Sequence, residues 1–168
     1  SSNLERLLYY VSGCDNVYVA SLMKDLKETG RFEVTKEILN RIQEKFQTGF
    51  ADDLDTKQTI KKIYEKDSYL LDTHTAVAYK VLLDNLDKEH VNVVLSTASP
   101  YKFTESVYTS LNEATHEDEF TLMNKLHEQT KVAIPENLKD LDKKEIRHKD
   151  VINKNEMKKY ILEKLGDL

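Results

Sequence analysis

The stretch "VVLSTASPYKF", residues 93–103, decides how this chain is read. An apolar run ends in small polar residues, then a proline and an aromatic. Extended upstream to "HVNVVLSTA", it reads as a strand covered on both faces in a parallel sheet. Ser99 at the N-cap and Pro100 at the first helical position then open a helix through Phe103, Val107 and Leu111. A strand leading into a helix start leaves unpaired N–H donors and a partial positive charge at the turn. Ser96, Thr97 and Ser99 add hydroxyls there. Two readings stay open: the turn faces a small polar or anionic ligand, or Ser99 only caps the helix while Ser96 and Thr97 satisfy local backbone.

Outward from this turn the chain is mostly helical. Helical spacing runs through Leu4, Leu7, Leu8 and Val11, with Ser2 and Glu5 as a capping box and Gly13 as the stop. Val19, Leu22, Met23 and Leu26 predict a second helix ending at Gly30. Thr35 caps a third over Ile38, Leu39 and Ile42. Residues 45–53 read as a short strand and loop. Asp55 with Gln58 restarts a helix through Ile60, Ile63 and Tyr64, and another runs from about Thr73 to Leu86. A polar linker at 113–120 leads into a helix over Leu122, Met123 and Leu126. An irregular stretch surrounds Pro135, and residues 154–165 close in a helix. The fold class is α/β: predominantly helical, with two or three parallel-type strands.

Composition narrows the function. The 168 residues are one domain's worth of chain, able to bury a core. Lys+Arg 25 against Asp+Glu 30 gives a net charge of -5, with lysines interleaved among acids along helices. That is a solvated face, with no electrostatic footprint for nucleic acid or an anionic membrane. Cys14 stands alone, so no intrachain disulfide is available. With no signal peptide and no apolar run of spanning length, the expected compartment is the cytoplasm. The glycines are Gly13, Gly30, Gly49 and Gly166, too scattered for a phosphate-binding loop. With the opening "SSNLERLLYY", which lacks an initiator Met, this suggests a piece of a larger protein.

"DTHTAVA" (72–78) is the second candidate site. Asp72 or Thr73 caps a helix, placing His74 in the first turn, where the helix dipole favours the neutral ring. A neutral His there positions a substrate oxygen or donates a proton; the plainer alternative is a His bonded to a nearby carbonyl. Asp52, Asp53 and Asp55 read as an acid-rich helix start rather than a cation site, because no calcium-loop spacing follows. His116, Glu117, Asp118, Glu119 and His127 match no zinc spacing. No metal is expected.

Four stretches in order, "SSNLERLL" (1–8), "FADDLDT" (50–56), "DTHTAVAYKV" (72–81) and "VLSTASPYKF" (94–103), with "IPENLKDL" (134–141) as a weaker fifth, resemble the C-terminal part of threonine synthase. The resemblance is clearest over 1–141. The family commonly has Asp-Pro-His where this chain has Asp72-Thr73-His74, and often His where Ser99 precedes the proline. The resemblance implies a single C-terminal fragment, residues 1–168, of the large domain of a fold-type II (tryptophan-synthase-like) pyridoxal-phosphate enzyme. The full-length enzyme would be a carbon–oxygen lyase converting O-phospho-L-homoserine and water to L-threonine and phosphate. Its Schiff-base lysine and phosphate loop would lie upstream, leaving no catalytic residue here and the fragment inactive alone, with the cofactor absent from it. Thr97, with Ser96 as the neighbouring alternative, would face the cofactor's pyridine nitrogen, and Asp72 and His74 would lie near substrate. A fragment cut from its sheet is expected to self-associate. The other readings are a related pyridoxal-phosphate lyase with a different substrate and a non-enzymatic helical interaction module.

Overall fold

The computed structural model describes residues 2–166 as eight α-helices joined by loops and short 3-10 turns. Helices α1 (Ser2–Val11), α2 (Asn16–Thr29) and α3 (Lys36–Gln43) enclose a small core of Leu8, Leu22 and Ile38. Their ends follow local chemistry. Asp15 caps α2 by accepting from Tyr18 N, and Gly30, at φ 79, ends it in the left-handed region open to glycine. Thr35 caps α3 through Ile38 N. Ser2 is the first helical residue of α1 rather than its cap.

Helices α4 (Asp53–Asp67), α5 (Thr73–Asp84), α6 (Thr104–Leu111) and α7 (Glu119–Thr130) carry the main core. Ile60, Ile63, Leu70, Leu71, Ala76, Tyr101, Val107, Met123 and Leu126 fill it. Asp52, not Asp55, caps α4, with Asp55 N donating to its carboxylate at 2.8 Å. Ser68 then turns the chain at φ 53, and Leu70 and Leu71 enter the core before Asp72 starts α5. Tyr101, 2% exposed, sits in the 3-10 turn Pro100–Phe103 and donates its hydroxyl to Val132 O at 2.6 Å. That bond ties the turn to the segment after α7. α8 (Met157–Gly166) closes the described chain, leaving Met157, Ile161, Leu162 and Leu165 exposed.

The expected strands do not form: among the described residues there is none. Residues 45–52 are irregular and leave Phe46 and Phe50 exposed, while Gly49 lies so close to α5 that a Cβ there would sit 2.8 Å from a Val81 methyl. Residues 91–97 carry no regular structure and exchange no backbone hydrogen bond with another described segment. Val91, Val93 and Leu95 are 91%, 72% and 74% exposed, whereas Val94 is half-buried. Alternation of this kind is what strand geometry imposes, but a strand exists only as part of a ladder. The apolar pattern was legible; the pairing it requires is not met among the described residues, and the expected cover on both faces is missing.

Candidate functional site

The site is built where the 91–97 segment runs past the start of α5. Asp72 is 1% exposed, and its carboxylate accepts from His74 N at 2.8 Å and Thr75 N at 3.2 Å. The Thr75 hydroxyl donates to the second carboxylate oxygen. Three donors on one buried carboxylate satisfy a charge that would otherwise be costly to remove from water. Thr75, itself 3% exposed, also lies 3.3 Å from Ser96 Oγ. The start of α5 and the end of the extended segment are thus joined by hydroxyls across 21 residues of chain.

Ser96 and Val94 line an open hollow of ≈ 330 Å³ with Ile63, Leu71, Thr75 and Tyr79. Thr97 is exposed, on the opposite side of the alternation with Val93 and Leu95, and its hydroxyl has no partner among the described residues. Ser99 accepts from Tyr101 N at 3.2 Å, capping the 3-10 turn with Pro100 at its start, as its sequence position suggests. Of the two readings, the cap at Ser99 is seen directly, while the Thr97 hydroxyl bonds no local backbone among the described residues.

His74 is placed differently. Its ring packs against Phe103 with centroids 5.3 Å apart, and its Nδ1 is 3.5 Å from Asp72 Oδ1. It faces a separate open hollow of ≈ 430 Å³ with Ala51, Asp53, Lys57 and Ser106. Asp72 touches His74 and Thr75, Ser96 is reached only through Thr75, and His74 and Ser96 line different hollows. Asp52, Asp53 and Asp55 lie at the start of α4, with Asp52 spent as the cap.

Sequence reasoning passed over Thr75 and Tyr101. The signal for Thr75 was present as Asp-x-x-Thr, which recurs at α7, where the Thr121 hydroxyl donates to Asp118 at 2.5 Å. Tyr101 carries a raised pKa because burial disfavours the phenolate. No local signal marks its bond to Val132, 31 residues on.

Comparison with known proteins points to the family that the sequence resembles. A family model described as "Threonine synthase, C-terminal" matches residues 75–161. Threonine synthase of Saccharomyces cerevisiae is 35% identical over 129 residues, covering 67% of this chain and 25% of the yeast protein. Human threonine synthase-like 1 is 30% identical, covering 66% of this chain and 15% of that one. Among solved structures, the pyridoxal-phosphate-bound threonine synthase from Brucella melitensis superposes with a TM-score of 0.59 at 35% identity, over 74% of this chain and 27% of that chain. The yeast threonine synthase structure gives 0.67 at 29% identity, over 100% of this chain and 35% of that one. The chain thus spans about a quarter of the length of the yeast relative. It belongs to the threonine synthase family, corresponding to that family's C-terminal region.

Proposed function

We propose that residues 1–168 are a C-terminal fragment of a fold-type II pyridoxal-phosphate lyase, and that the full-length protein converts O-phospho-L-homoserine and water to L-threonine and phosphate. The observation carrying this reading is the end of the 91–97 segment. An extended run with no partner among the described residues leads to an exposed, uncommitted hydroxyl at Thr97, in a chain whose relatives are threonine synthases. The unpaired run fits a sheet strand whose neighbours belong to the rest of the enzyme.

Pyridoxal phosphate, when bound, supplies an electron sink through its pyridine ring. Thr97, with Ser96 as the neighbouring hydroxyl, holds the ring nitrogen in this reading. A neutral O–H donor leaves that nitrogen unprotonated, whereas a carboxylate partner would favour its protonation. Asp72 fixes the start of α5 and orients His74, whose ring faces the second hollow near substrate. The lysine and the phosphate-binding loop come from the upstream part, so this chain alone binds no cofactor productively and is inactive. Its place of work is the cytoplasm; no helix among the described residues is long and apolar enough to cross a membrane.

The test is turnover. The full-length protein should release phosphate and threonine in equal amounts from O-phosphohomoserine, and residues 1–168 alone should release neither. Turnover by the isolated chain would sink the fragment reading. Inactivity of the cofactor-loaded full-length protein on this substrate, with activity on another amino-acid derivative, would favour a related lyase.

A further inference from the structure

Two helix starts in this chain use the same local device and differ in where it leads. At α7, Asp118 accepts from Phe120 N and Thr121 N, and the Thr121 hydroxyl closes the cap; the group is exposed and ends there. At α5, Asp72 accepts from His74 N and Thr75 N, and the Thr75 hydroxyl closes the cap, but both side chains are buried and Ser96 is added at 3.3 Å. Capping a helix requires no third member. A threonine hydroxyl has one proton, and the carboxylate takes it. With that proton committed to Asp72, Thr75 Oγ1 is left to accept across the 3.3 Å contact, which makes Ser96 its donor.

We propose that Thr75 is a positioning residue: with Asp72 it commits the Ser96 proton to the protein interior, which leaves Thr97 as the hydroxyl that donates to the cofactor's ring nitrogen. This rests on the cofactor reading above. An unprotonated ring nitrogen accepts only, so a serine whose proton is already donated cannot serve it. The contacts of the segment complete the division. Val94 and Ser96 line the hollow against α5, and Ser96, though exposed, keeps its contact with Thr75; Val93, Leu95 and Thr97 are exposed and line no part of that hollow. A one-residue slip would exchange the two hydroxyls, and the Asp72–Thr75–Ser96 chain holds the register against it.

The experiment uses the full-length protein loaded with pyridoxal phosphate labelled with nitrogen-15 in the ring, read by NMR alongside the cofactor's dissociation constant. Thr97→Val should move the ring-nitrogen signal toward that of the unbonded pyridine. Thr75→Val should split or broaden it, as Ser96 competes with Thr97, and weaken cofactor binding by about 3- to 10-fold. Thr75→Ser, which keeps the hydroxyl, should restore a single sharp signal. Ser96→Ala should match Thr75→Val in affinity, and the double variant should be no weaker than either, because all remove one contact. Ser96→Ala also carries the test should Thr75→Val fail to fold. An unchanged signal in Thr75→Val, or additive losses in the double variant, would overturn the positioning role even while Thr97→Val still moves the signal. A signal moved by Ser96→Ala but not by Thr97→Val would reverse the assignment. A signal indifferent to both would remove the cofactor reading itself.

Discussion

Replacing Asp72 by alanine should cost far more than replacing Asp118, although both cap a helix through an Asp-x-x-Thr pattern. Asp72 is 1% exposed and accepts from two backbone N–H groups and the Thr75 hydroxyl. Losing a helix cap costs about 0.5–2 kcal/mol. Leaving buried donors unsatisfied adds about 1–3 kcal/mol, and the hydroxyl of Thr75, 3% exposed, would keep only the long 3.3 Å contact to Ser96 Oγ. Together these give about 1.5–5 kcal/mol for Asp72→Ala. Amide hydrogen exchange in the full-length protein reads this locally. Protection of the first α5 amides should fall by about 10- to 4,000-fold if opening is local. The first α7 amides in Asp118→Ala should lose only about fivefold, because solvent replaces the cap. Equal losses at the two helices would refute the reasoning, since burial and the link to Ser96 would then contribute nothing.

Tyr101→Phe should remove one bond to Val132 O, which keeps His127 Nδ1 at 2.7 Å, at a cost of about 0.5–1.5 kcal/mol by denaturant titration. Burial raises the folded-state pKa of Tyr101 above its ordinary 10.0, so its contribution is intact below pH 10.0 and is lost as pH rises through the folded value. The variant should lack that part of the alkaline loss, and an identical alkaline profile would contradict it. Gly49→Ala places a Cβ 2.8 Å from a stiff Val81 side chain and should destabilise by about 1–3 kcal/mol, with Val81→Ala in the same chain recovering most of it. A Tm unchanged by Gly49→Ala would show that the 45–52 loop moves freely off α5. Residues 1–168 alone should self-associate through the open edge at 91–95, and Val93→Lys should weaken this. A strictly monomeric species by light scattering over a wide concentration range would count against it.

What the sequence made legible was local. Gly30 and Thr35 mark helix ends because a left-handed φ and a side-chain acceptor are properties of one residue and its next turn. Asp52, Asp53 and Asp55 defeated the same logic at α4, where several acids in a row each satisfy the cap pattern. The 91–95 segment kept its period-two alternation, but pairing needs a second strand, and none lies among the described residues. Ser96 and Thr97 were both visible as candidates. What separates them is the Thr75 contact made across 21 residues, and no spacing rule reports a tertiary contact of that kind. His74 was placed correctly in the first turn of α5, yet its stacking on Phe103 and its separate hollow follow from how α5 and the 100–103 turn pack.

The claim at the centre of this account is that the Thr97 hydroxyl serves a cofactor ring. Its most direct test is turnover measured with the bound cofactor's visible spectrum, in full-length protein carrying Thr97→Val or Ser96→Ala. Valine keeps the β-branched shape and removes one hydroxyl. Losing a donor to a buried partner costs about 1–3 kcal/mol. Felt in the transition state, that loss lowers kcat by about one to two orders of magnitude. Thr97→Val should show that fall together with a shifted spectrum, and Ser96→Ala a smaller change in both. Wild-type kcat and an unaltered spectrum in Thr97→Val would contradict the claim, leaving the turn at 96–99 as a helix cap alone.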